Sequence, residues 1–504
     1  MRDSAQAPSL TGPKIVKSVS TQTNRAQLAV VPGGRKKTQS KARLKLERDY
    51  FQGKVHTVDE RRAAGKALRD IVPRESHAEW KDSGDRTDPI DILIASNKGR
   101  LPDLVPIRHG RMLTSPFAFL RGSAAVMASD LSRTPTTGIR VQACGDCHLM
   151  NFGAFATPER QLNFDINDFD ETLPAPWEWD LKRLAASFVV AGRYINLKEK
   201  DSLAGAESVV RAYRRQIAHY AEMRAFDVWY DHINIEQVMS EVSAARRKFM
   251  KARIKKARAQ SVLEHDFPKL AETGSGRPRI KDNHPLIFHL RGRRTDELRE
   301  AVFRGLRMYR STVADHYRVL LDRFRFHDLA IKVVGVGSVG TMCAIVLLMA
   351  ADNDPLFLQL KQANASVLER YAGRSVYPNH GQRVVMGQRL MQAASDMMLG
   401  WTVGRLEGRH FYLRQLRDMK LSAMLETFDP GTLNVYGKVC GWALARAHAR
   451  SGDPAMISGY LGNSDIFDQA IVKFASAYAD QTESDHHAMR KAARDGRLDV
   501  AVIE

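Results

Sequence analysis

The chain has 504 residues, of which 44% are hydrophobic and 27% are charged, so it is long enough to bury a large core. Its 77 Lys and Arg residues against 57 Asp and Glu residues give a formal net charge of +20, which favours an anionic partner such as a nucleotide, a nucleic acid or a membrane surface. The four cysteines exclude a disulfide scaffold, and the longest apolar run, about nine residues from Cys343, predicts no membrane span.

Two segments concentrate the positive charge. Residues 1–50 contain 11 Lys and Arg against 3 Asp and Glu and have no apolar periodicity, which predicts a disordered basic tail. We expect this tail to be solvated, with non-specific binding of nucleic acid or membrane as the alternative. An Ala-rich helix predicted at 246–258 carries either a solvated basic face or an anion-binding ridge. The amino terminus has no apolar core typical of a secretory signal, so we expect a cytoplasmic protein.

Residues 51–325 predict a helix-rich lobe. Its clearest helices are expected at 115–131 and 177–195, where apolar residues recur with helical spacing. Short β-branched strands are expected at 138–143 and 162–168, on either side of a loop. The remainder of this lobe is largely helical in its pattern.

Residues 326–430 predict a sheet-rich lobe. Apolar runs on both sides of a glycine-rich turn, followed by a third run, predict three strands over 329–361. Further strands are expected at 383–391 and 410–416. A helix at 434–450 opens the carboxyl-terminal helical segment, which we assign to residues 431–504.

A cluster of acidic residues follows the first predicted strand and has the composition that phosphoryl transfer requires. Such a site needs an acceptor for the hydroxyl proton and oxygen ligands for Mg²⁺. Asp146 is the candidate for the first role, and His148 is its candidate helper. Asn151 and Asp168 are the candidate metal ligands, unless the segment is only a carboxylate-rich turn. The supporting or competing metal ligands are Asp165 and Asp170.

The spacing of these residues is typical of kinases. Asp146 and Asn151 are five residues apart, as in the Asp-x-x-x-x-Asn catalytic loop, and the form that includes His148 resembles aminoglycoside and choline phosphotransferases. Asp168 begins an Asp-Phe-Asp sequence that stands where Asp-Phe-Gly stands in kinases. Asp180 resembles the structural Asp that follows the metal site in those small-molecule kinases.

A glycine-rich turn and a lysine predict a nucleotide site. The turn lies between two predicted strands, which favours a hairpin that covers phosphates over a dinucleotide-binding turn, since the latter requires a helix next. Lys361 on the third strand is expected to contact the α- and β-phosphates, and Glu369 to pair with it. A Rossmann oxidoreductase remains the alternative if 341–350 is helical. The turn residues assigned to the nucleotide are Gly335, Gly337, Ser338 and Gly340.

The order of these two constellations is the reverse of the kinase order. The catalytic-type loop comes first and the glycine-rich turn comes about 190 residues later. If both assignments hold, the lobes are circularly permuted, which a fold tolerates when its termini lie at the surface. The helix that precedes the catalytic loop in space is then either 443–453 or 115–131.

Several longer stretches resemble one bacterial family, domain of unknown function 2252, over about residues 60–490. The family is associated with the kinase-like superfamily, so the resemblance implies a kinase-like fold. Its usual Lys-Glu-Ala appears here with Gln362 in the middle, and its Gly-Thr-Arg ends in Met342, which puts catalytic competence in question. The stretches are SPFAFLRGSAAVMASDL, GDCHLMNFG, NDFDETLPAPWEWDLKRLAASF, KVVGVGSVGT, PLFLQLKQA, QRVVMGQRLMQAASDMMLGW and FYLRQLRDMK.

Together these observations predict a two-lobed α/β protein-kinase-like fold behind a basic tail. The expected activity is Mg²⁺- and ATP-dependent phosphoryl transfer to an unidentified hydroxyl acceptor, or nucleotide binding without catalysis. A metal-dependent phosphoesterase that uses the same carboxylates is one alternative. A nucleic-acid-binding protein that acts through residues 1–50 and the basic helix is another.

Overall fold

The computed structural model combines helices with antiparallel sheets. The predicted basic tail, 1–50, lies outside the described residues. Those residues are 54–80, 84–259, 270–272, 277–289, 294–333, 335–351, 354–404, 408–416 and 420–501.

Helices dominate the described chain, and several begin at side chains that accept a backbone N–H. Asp429 accepts from Thr432 N at 2.6 Å ahead of a proline, a favourable helix start. In chain order the helices are α1 Val58–Ala67, α2 Pro89–Ala95, α3 Val105–Leu113, α4 Pro116–Gly122, α5 Ala124–Leu131, α6 Trp177–Tyr194, α7 Glu199–Glu222, α8 Ala225–Tyr230, α9 Ile235–Ser240, α10 Ala244–Ala259, α11 Arg294–Thr312, α12 Asp315–Leu321, α13 Glu369–Ala372, α14 His380–Met391, α15 Pro430–Ser451, α16 Pro454–Leu461 and α17 Ile466–Arg494.

The strands form one large sheet and three small ones. They are β1 Arg140–Ala143, β2 Phe152–Ala156, β3 Leu162–Ile166, β4 Leu173–Pro176, β5 Ala271–Glu272, β6 Arg279–Ile280, β7 Ile287–Phe288, β8 Arg325–Lys332, β9 Cys343–Met349, β10 Pro355–Ala363, β11 Gly400–Val403, β12 His410–Gln415 and β13 Leu421–Ser422. The large sheet is antiparallel, with the order β11-β12-β10-β9-β8-β7. The small sheets are β13-β2-β3, β1-β4 and β5-β6.

The three strands predicted over 329–361 are confirmed. They are β8, β9 and β10, and every residue of β9 and β10 is buried, which explains their almost continuous apolar sequence. Because 343–349 is a strand, the helix that a dinucleotide-binding turn requires after the glycines is not formed. The Rossmann alternative is therefore wrong.

Two predicted elements differ from the structure. The stretch 383–391 was expected as a strand because of its apolar run, but it lies in α14, which Asn379 starts by accepting from Gln382 N at 3.1 Å. The single helix expected at 115–131 is two helices, α4 and α5, separated at Ser123. There the backbone carbonyl of Gly122 accepts from Arg108 Nη2 at 2.9 Å instead of from the next turn of helix.

The packing places the loop that follows β1 between helices and sheet. Helices α6, α7 and α15 form the centre of the largest hydrophobic core, to which Trp177, Tyr213 and Leu444 contribute fully buried side chains. The carboxyl end of α15 lies beside β1, where Gln142 N donates to Ser451 Oγ at 3.1 Å. The loop 144–151 therefore begins at a strand that is hydrogen-bonded to α15.

Candidate active site

The loop that contains Asp146 is anchored by one carboxylate. Asp180, on the first turn of α6, accepts from Cys144 N at 2.6 Å and from Gly145 N at 2.9 Å. Gly145 has a φ of +84°, and a Cβ there would collide with the carbonyl of Glu171. This close turn requires glycine and fixes where the next residue projects.

Asp146 and His148 stand next to each other at the edge of a cleft. Arg183 donates to Asp146 Oδ1 through both Nε, at 2.9 Å, and Nη2. The second carboxylate oxygen, Oδ2, lies 3.9 Å from His148 Nε2. Burial lowers the pKa of His148 to about 4, which the nearby Asp146 opposes and the arginines Arg121 and Arg183 reinforce. At neutral pH the imidazole is therefore uncharged.

Asn151 joins the loop to the segment after β3. Its Nδ2 donates to the carbonyl of Asp146 at 3.2 Å and to that of Asp168 at 3.0 Å. The amide nitrogen is thus engaged, and the amide oxygen is the atom left to bind a ligand. The Asp168 side chain is 40% exposed. Burial alone would raise the pKa of Asp168, but Lys361 and more distant cations outweigh it and hold the carboxyl ionised.

Lys361 lies on β10 with its side chain buried beneath the sheet. Its Nζ lies 2.7 Å from Asp170 Oδ2 and 3.4 Å from Asp168 Oδ2. Tyr412 donates to Asp170 Oδ1 at 2.6 Å, and Ser338 Oγ to Asp170 Oδ2 at 3.3 Å. The Asp-Phe-Asp segment, the lysine and the glycine-rich turn therefore meet at Asp170.

The predicted pairing of Glu369 with Lys361 is wrong. Glu369 begins the short helix α13, where its Oε1 accepts from Ser366 N at 3.3 Å and lies 3.8 Å from His380 Nδ1. Lys361 instead neutralises the two aspartates of the Asp-Phe-Asp segment. Glu369 lies six residues beyond the end of β10, where its contacts with Ser366 and His380 hold it away from Lys361.

Asp165, the competing metal ligand, also lies apart from the others. Its carboxylate is buried and accepts from Arg446 Nη2 at 2.6 Å and from Ala393 N at 3.1 Å. These contacts hold Asp165 beside α15, and it does not line the cleft that contains Asp146 and Asp168. Its role in this structure is to join α15 to the strand.

One open cleft of about 1190 Å³ brings together most of the predicted site. The catalytic-type loop and the glycine-rich turn face each other across it, although they are far apart in sequence. Gly335 and Gly340 have φ values of +68° and +88°, which glycine adopts without strain. The predicted residues that line the cleft are Asp146, His148, Asn151, Asp168, Asp170, Gly335, Gly337 and Ser338.

The opposite side of the cleft was not predicted. Arg100, Arg108 and Arg121, from the helical region 96–125, line it and are named here the arginine wall. No single motif contains all three residues, since they belong to separate elements before the catalytic-type loop and only Arg121 lies in a stretch that resembles the family. Arg100 Nη1 donates to the carbonyl of Val339 at 2.5 Å, so this wall also holds the glycine-rich turn.

Across the described residues, no three His, Cys, Asp or Glu side chains come together in a group that could hold a metal ion. None of the described helices combines the length and the apolar character needed to cross a membrane.

A family model described as "Uncharacterized protein conserved in bacteria (DUF2252)" matches residues 100–492. The search of curated proteins and the search of solved structures produced no match.

Proposed function

This chain belongs to the bacterial family DUF2252, and we propose that it transfers the γ-phosphoryl group of Mg²⁺-bound ATP to a hydroxyl acceptor. One observation carries the proposal. Asp146, Asn151 and Asp168 share a cleft with the glycine-rich turn, and Lys361 binds the aspartates at its floor. This set of groups is what phosphoryl transfer needs, because positioning and charge stabilisation account for most of its catalysis.

The topology of the large sheet supports a kinase-like nucleotide lobe. The glycine-rich turn connects β8 to β9, and the lysine lies on β10, the third consecutive strand. The helix α14 then separates β10 from β11, and β12 inserts between those two strands in the sheet. A glycine-rich hairpin followed by a lysine-bearing strand is the arrangement that covers ATP phosphates in kinases.

A circular permutation accounts for the order of the two lobes. The carboxyl end of α15 lies against β1, with Ser451 Oγ bonded to Gln142 N. The strand that leads into the catalytic-type loop therefore follows α15 in space, although it precedes α15 in the chain. This contact favours 443–453 over 115–131 as the helix before that loop.

The side chains suggest how the work is divided. Arg183 occupies Oδ1 of Asp146, which leaves Oδ2 to orient an acceptor hydroxyl and take its proton. Asn151 and Asp168 offer one amide oxygen and one carboxylate to Mg²⁺, which commonly takes few protein ligands and completes its shell with phosphates and water. Bound there, the ion would neutralise charge on the transferred phosphoryl group. Lys361 supplies a fixed positive charge at the same place.

Two departures from the family pattern leave nucleotide binding without catalysis as the second candidate. Gln362 lines the cleft, where the family has Glu, and its Oε1 accepts from Met342 N at 3.0 Å. The side chain thus has a structural role between β9 and β10. The phosphoesterase alternative has less support, because a lysine rather than a further carboxylate lies between Asp168 and Asp170.

The proposal is tested by the thermal stability of the protein with the ATP analogue AMP-PNP. At 100 times its dissociation constant a ligand stabilises by about 2.7 kcal/mol, so a Mg²⁺-dependent rise in Tm is expected. Asp168→Asn should lose that rise, whereas Asp103→Asn, at an exposed carboxylate, should keep it. A folded wild-type protein without any Mg²⁺-dependent rise would overturn the nucleotide assignment.

Catalysis is tested separately by ADP release during a screen of hydroxyl compounds. Asp146→Asn should retain AMP-PNP binding and lose about 10²–10⁴ in rate. Nucleotide binding with no turnover across the screen would favour the inactive candidate.

A further inference from the structure

We infer that the phosphoryl acceptor is an anionic compound whose phosphate or carboxylate group binds to the arginine wall, an assignment that rests on the proposed function. The wall consists of Arg100, Arg108 and Arg121. It borders the same cleft as Asp146, so one molecule can touch both.

Arg121 is the side chain that most clearly lacks a partner. It is half-buried on α4, its Nε is shielded from solvent, and no hydrogen bond to that atom is present among the described residues. Its guanidinium lies 5.9 Å from the ring of Phe117, which supports the side chain without neutralising it. A desolvated charge of this kind is costly unless a counter-ion joins it.

The two other arginines bind only uncharged oxygens. Arg108 donates to Asn97 Oδ1 at 2.6 Å and to the carbonyl of Gly122 at 2.9 Å, and its buried Nε has no partner. Arg100 donates to the carbonyls of Ser96 and Val339. Within the described part of the chain, no carboxylate forms an ion pair with any of the three. Burial lowers the pKa of each guanidinium, and it outweighs the opposing effects of Glu171 and Asp170 on Arg100 and of Asp146 on Arg121.

The position of Arg121 favours the acceptor over the nucleotide. Leu120, its neighbour on α4, accepts from Arg183 Nη2 at 2.9 Å, and Arg183 also donates to Asp146 Oδ1, so Arg121 lies on the catalytic-base side of the cleft. The effect of Asp146 on the pKa of Arg121 agrees with this placement. The nucleotide phosphates are assigned to Lys361 and the glycine-rich turn. An anion held by Arg121 therefore belongs to the molecule whose hydroxyl meets Asp146.

The experiment titrates inorganic phosphate into the full-length protein, with and without saturating Mg²⁺ and AMP-PNP, and follows binding by calorimetry. Phosphate should bind in both conditions, because the nucleotide leaves the arginine wall free. Arg121→Gln should weaken phosphate binding about 10- to 100-fold, the usual consequence of losing a charged hydrogen bond. The affinity for AMP-PNP should change less than about twofold.

Two further variants serve as controls. Lys98→Gln removes a positive charge from an exposed position in the same region and should change neither affinity. Arg121→Lys keeps the charge and should retain part of the phosphate affinity, so it replaces Arg121→Gln if that variant does not fold. Malonate, titrated in the same way, represents a carboxylate ligand. A wild-type protein that binds neither phosphate nor malonate would overturn the inference.

The remaining outcomes separate this inference from the proposed function. Equal losses of phosphate and AMP-PNP affinity in Arg121→Gln would assign Arg121 to the nucleotide and overturn the inference. Phosphate that binds only without AMP-PNP would do the same. Arg121-dependent phosphate binding in a protein with no affinity for AMP-PNP would overturn the proposed phosphoryl transfer. The arginine wall would then be an anion site, but its ligand would not be a phosphoryl acceptor.

Discussion

The two sides of the cleft differ in whether their charged side chains form ion pairs. On the sheet side, which we call the carboxylate wall, Asp168 and Asp170 are neutralised by Lys361 at 3.4 and 2.7 Å. On the arginine wall, Arg100 and Arg108 donate to carbonyl and amide oxygens, and Arg121 Nε has no hydrogen-bond partner among the described residues. The carboxylate wall is complete in itself, whereas the arginine wall is complete only with an anion. Unsatisfied charge of this sort is typical of a binding surface rather than of a structural contact.

Removing the lysine should produce the largest effect on stability. Lys361→Met keeps the length of the side chain but leaves the carboxylates of Asp168 and Asp170 without their nearest cation. We expect a loss of about 3 kcal/mol in the free energy of unfolding, at the low end for a buried pair because Asp168 is 40% exposed. Urea denaturation at pH 7 measures it.

A second substitution checks the cause of that loss. Adding Asp170→Asn to Lys361→Met removes one of the two stranded charges and should recover part of the stability. Lys98→Met, at an exposed position, should cost almost nothing. A cost for Lys361→Met no greater than that of Lys98→Met would mean that the carboxylate wall does not depend on its lysine.

Asp146 and Arg121 have opposite effects on the pKa of His148. The titration of this imidazole should make the free energy of unfolding depend on pH. Its folded pKa of about 4 is below the ordinary value near 6.5, so between these pH values the unfolded chain binds a proton that the folded chain does not. Stability should therefore fall as the pH falls through this window, by about 2–3 kcal/mol. His148→Gln should remove that part of the slope.

The same titration tests the influence of the arginine wall. Because Arg121 lowers the pKa of His148, Arg121→Met should raise that pKa. The pH range over which stability falls should then be narrower. The pKa is read directly from the pH dependence of the imidazole NMR signals. An unchanged imidazole pKa in Arg121→Met would show that the arginine is too distant to act on the catalytic loop.

The matched substitution on the arginine wall should have the opposite sign from Lys361→Met. Arg121→Met removes a desolvated charge that has no carboxylate partner and keeps the aliphatic packing on Phe117. We expect the free energy of unfolding to stay the same or to rise by up to about 1 kcal/mol. A loss as large as that of Lys361→Met, by the same urea method, would show that both walls are structural.

The catalytic-type loop and the strand that carries Lys361 could be predicted from the sequence because their residues occur in short, ordered motifs. Asp146 and Asn151 have a fixed spacing, and the apolar runs of β9 and β10 identify the strand that carries Lys361. The strand predicted in place of α14 was wrong because an apolar run alone does not distinguish a strand from a buried helix. The side chain of Asn379 was the available signal for a helix start there.

The arginine wall could not be predicted by the same means. Arg100 and Arg108 precede Arg121 by intervals that match no motif, and the chain has many other arginines in solvated positions. Their convergence depends on the break at Ser123 and on the packing of α3 against α4, which are tertiary facts. Local sequence patterns report one element at a time, so a wall built from three elements is visible only in the folded chain.

Contact between the arginine wall and the glycine-rich turn leads to the smallest predicted effect. A Cβ added at Gly337 would lie 3.0 Å from the backbone oxygen of Arg121, so Gly337→Ala should push the glycine-rich turn a few tenths of an ångström from α4. Because a surface turn can yield, we expect a loss of about 1 kcal/mol or less. Gly431→Ala, in the first turn of α15 with its nearest neighbour at 3.5 Å, should be neutral or slightly stabilising. If Gly337→Ala weakened phosphate and AMP-PNP binding together while Gly431→Ala did not, this one glycine would set the spacing between the arginine wall and the glycine-rich turn. No change in either affinity would mean that the arginine wall and the glycine-rich turn bind their anions independently.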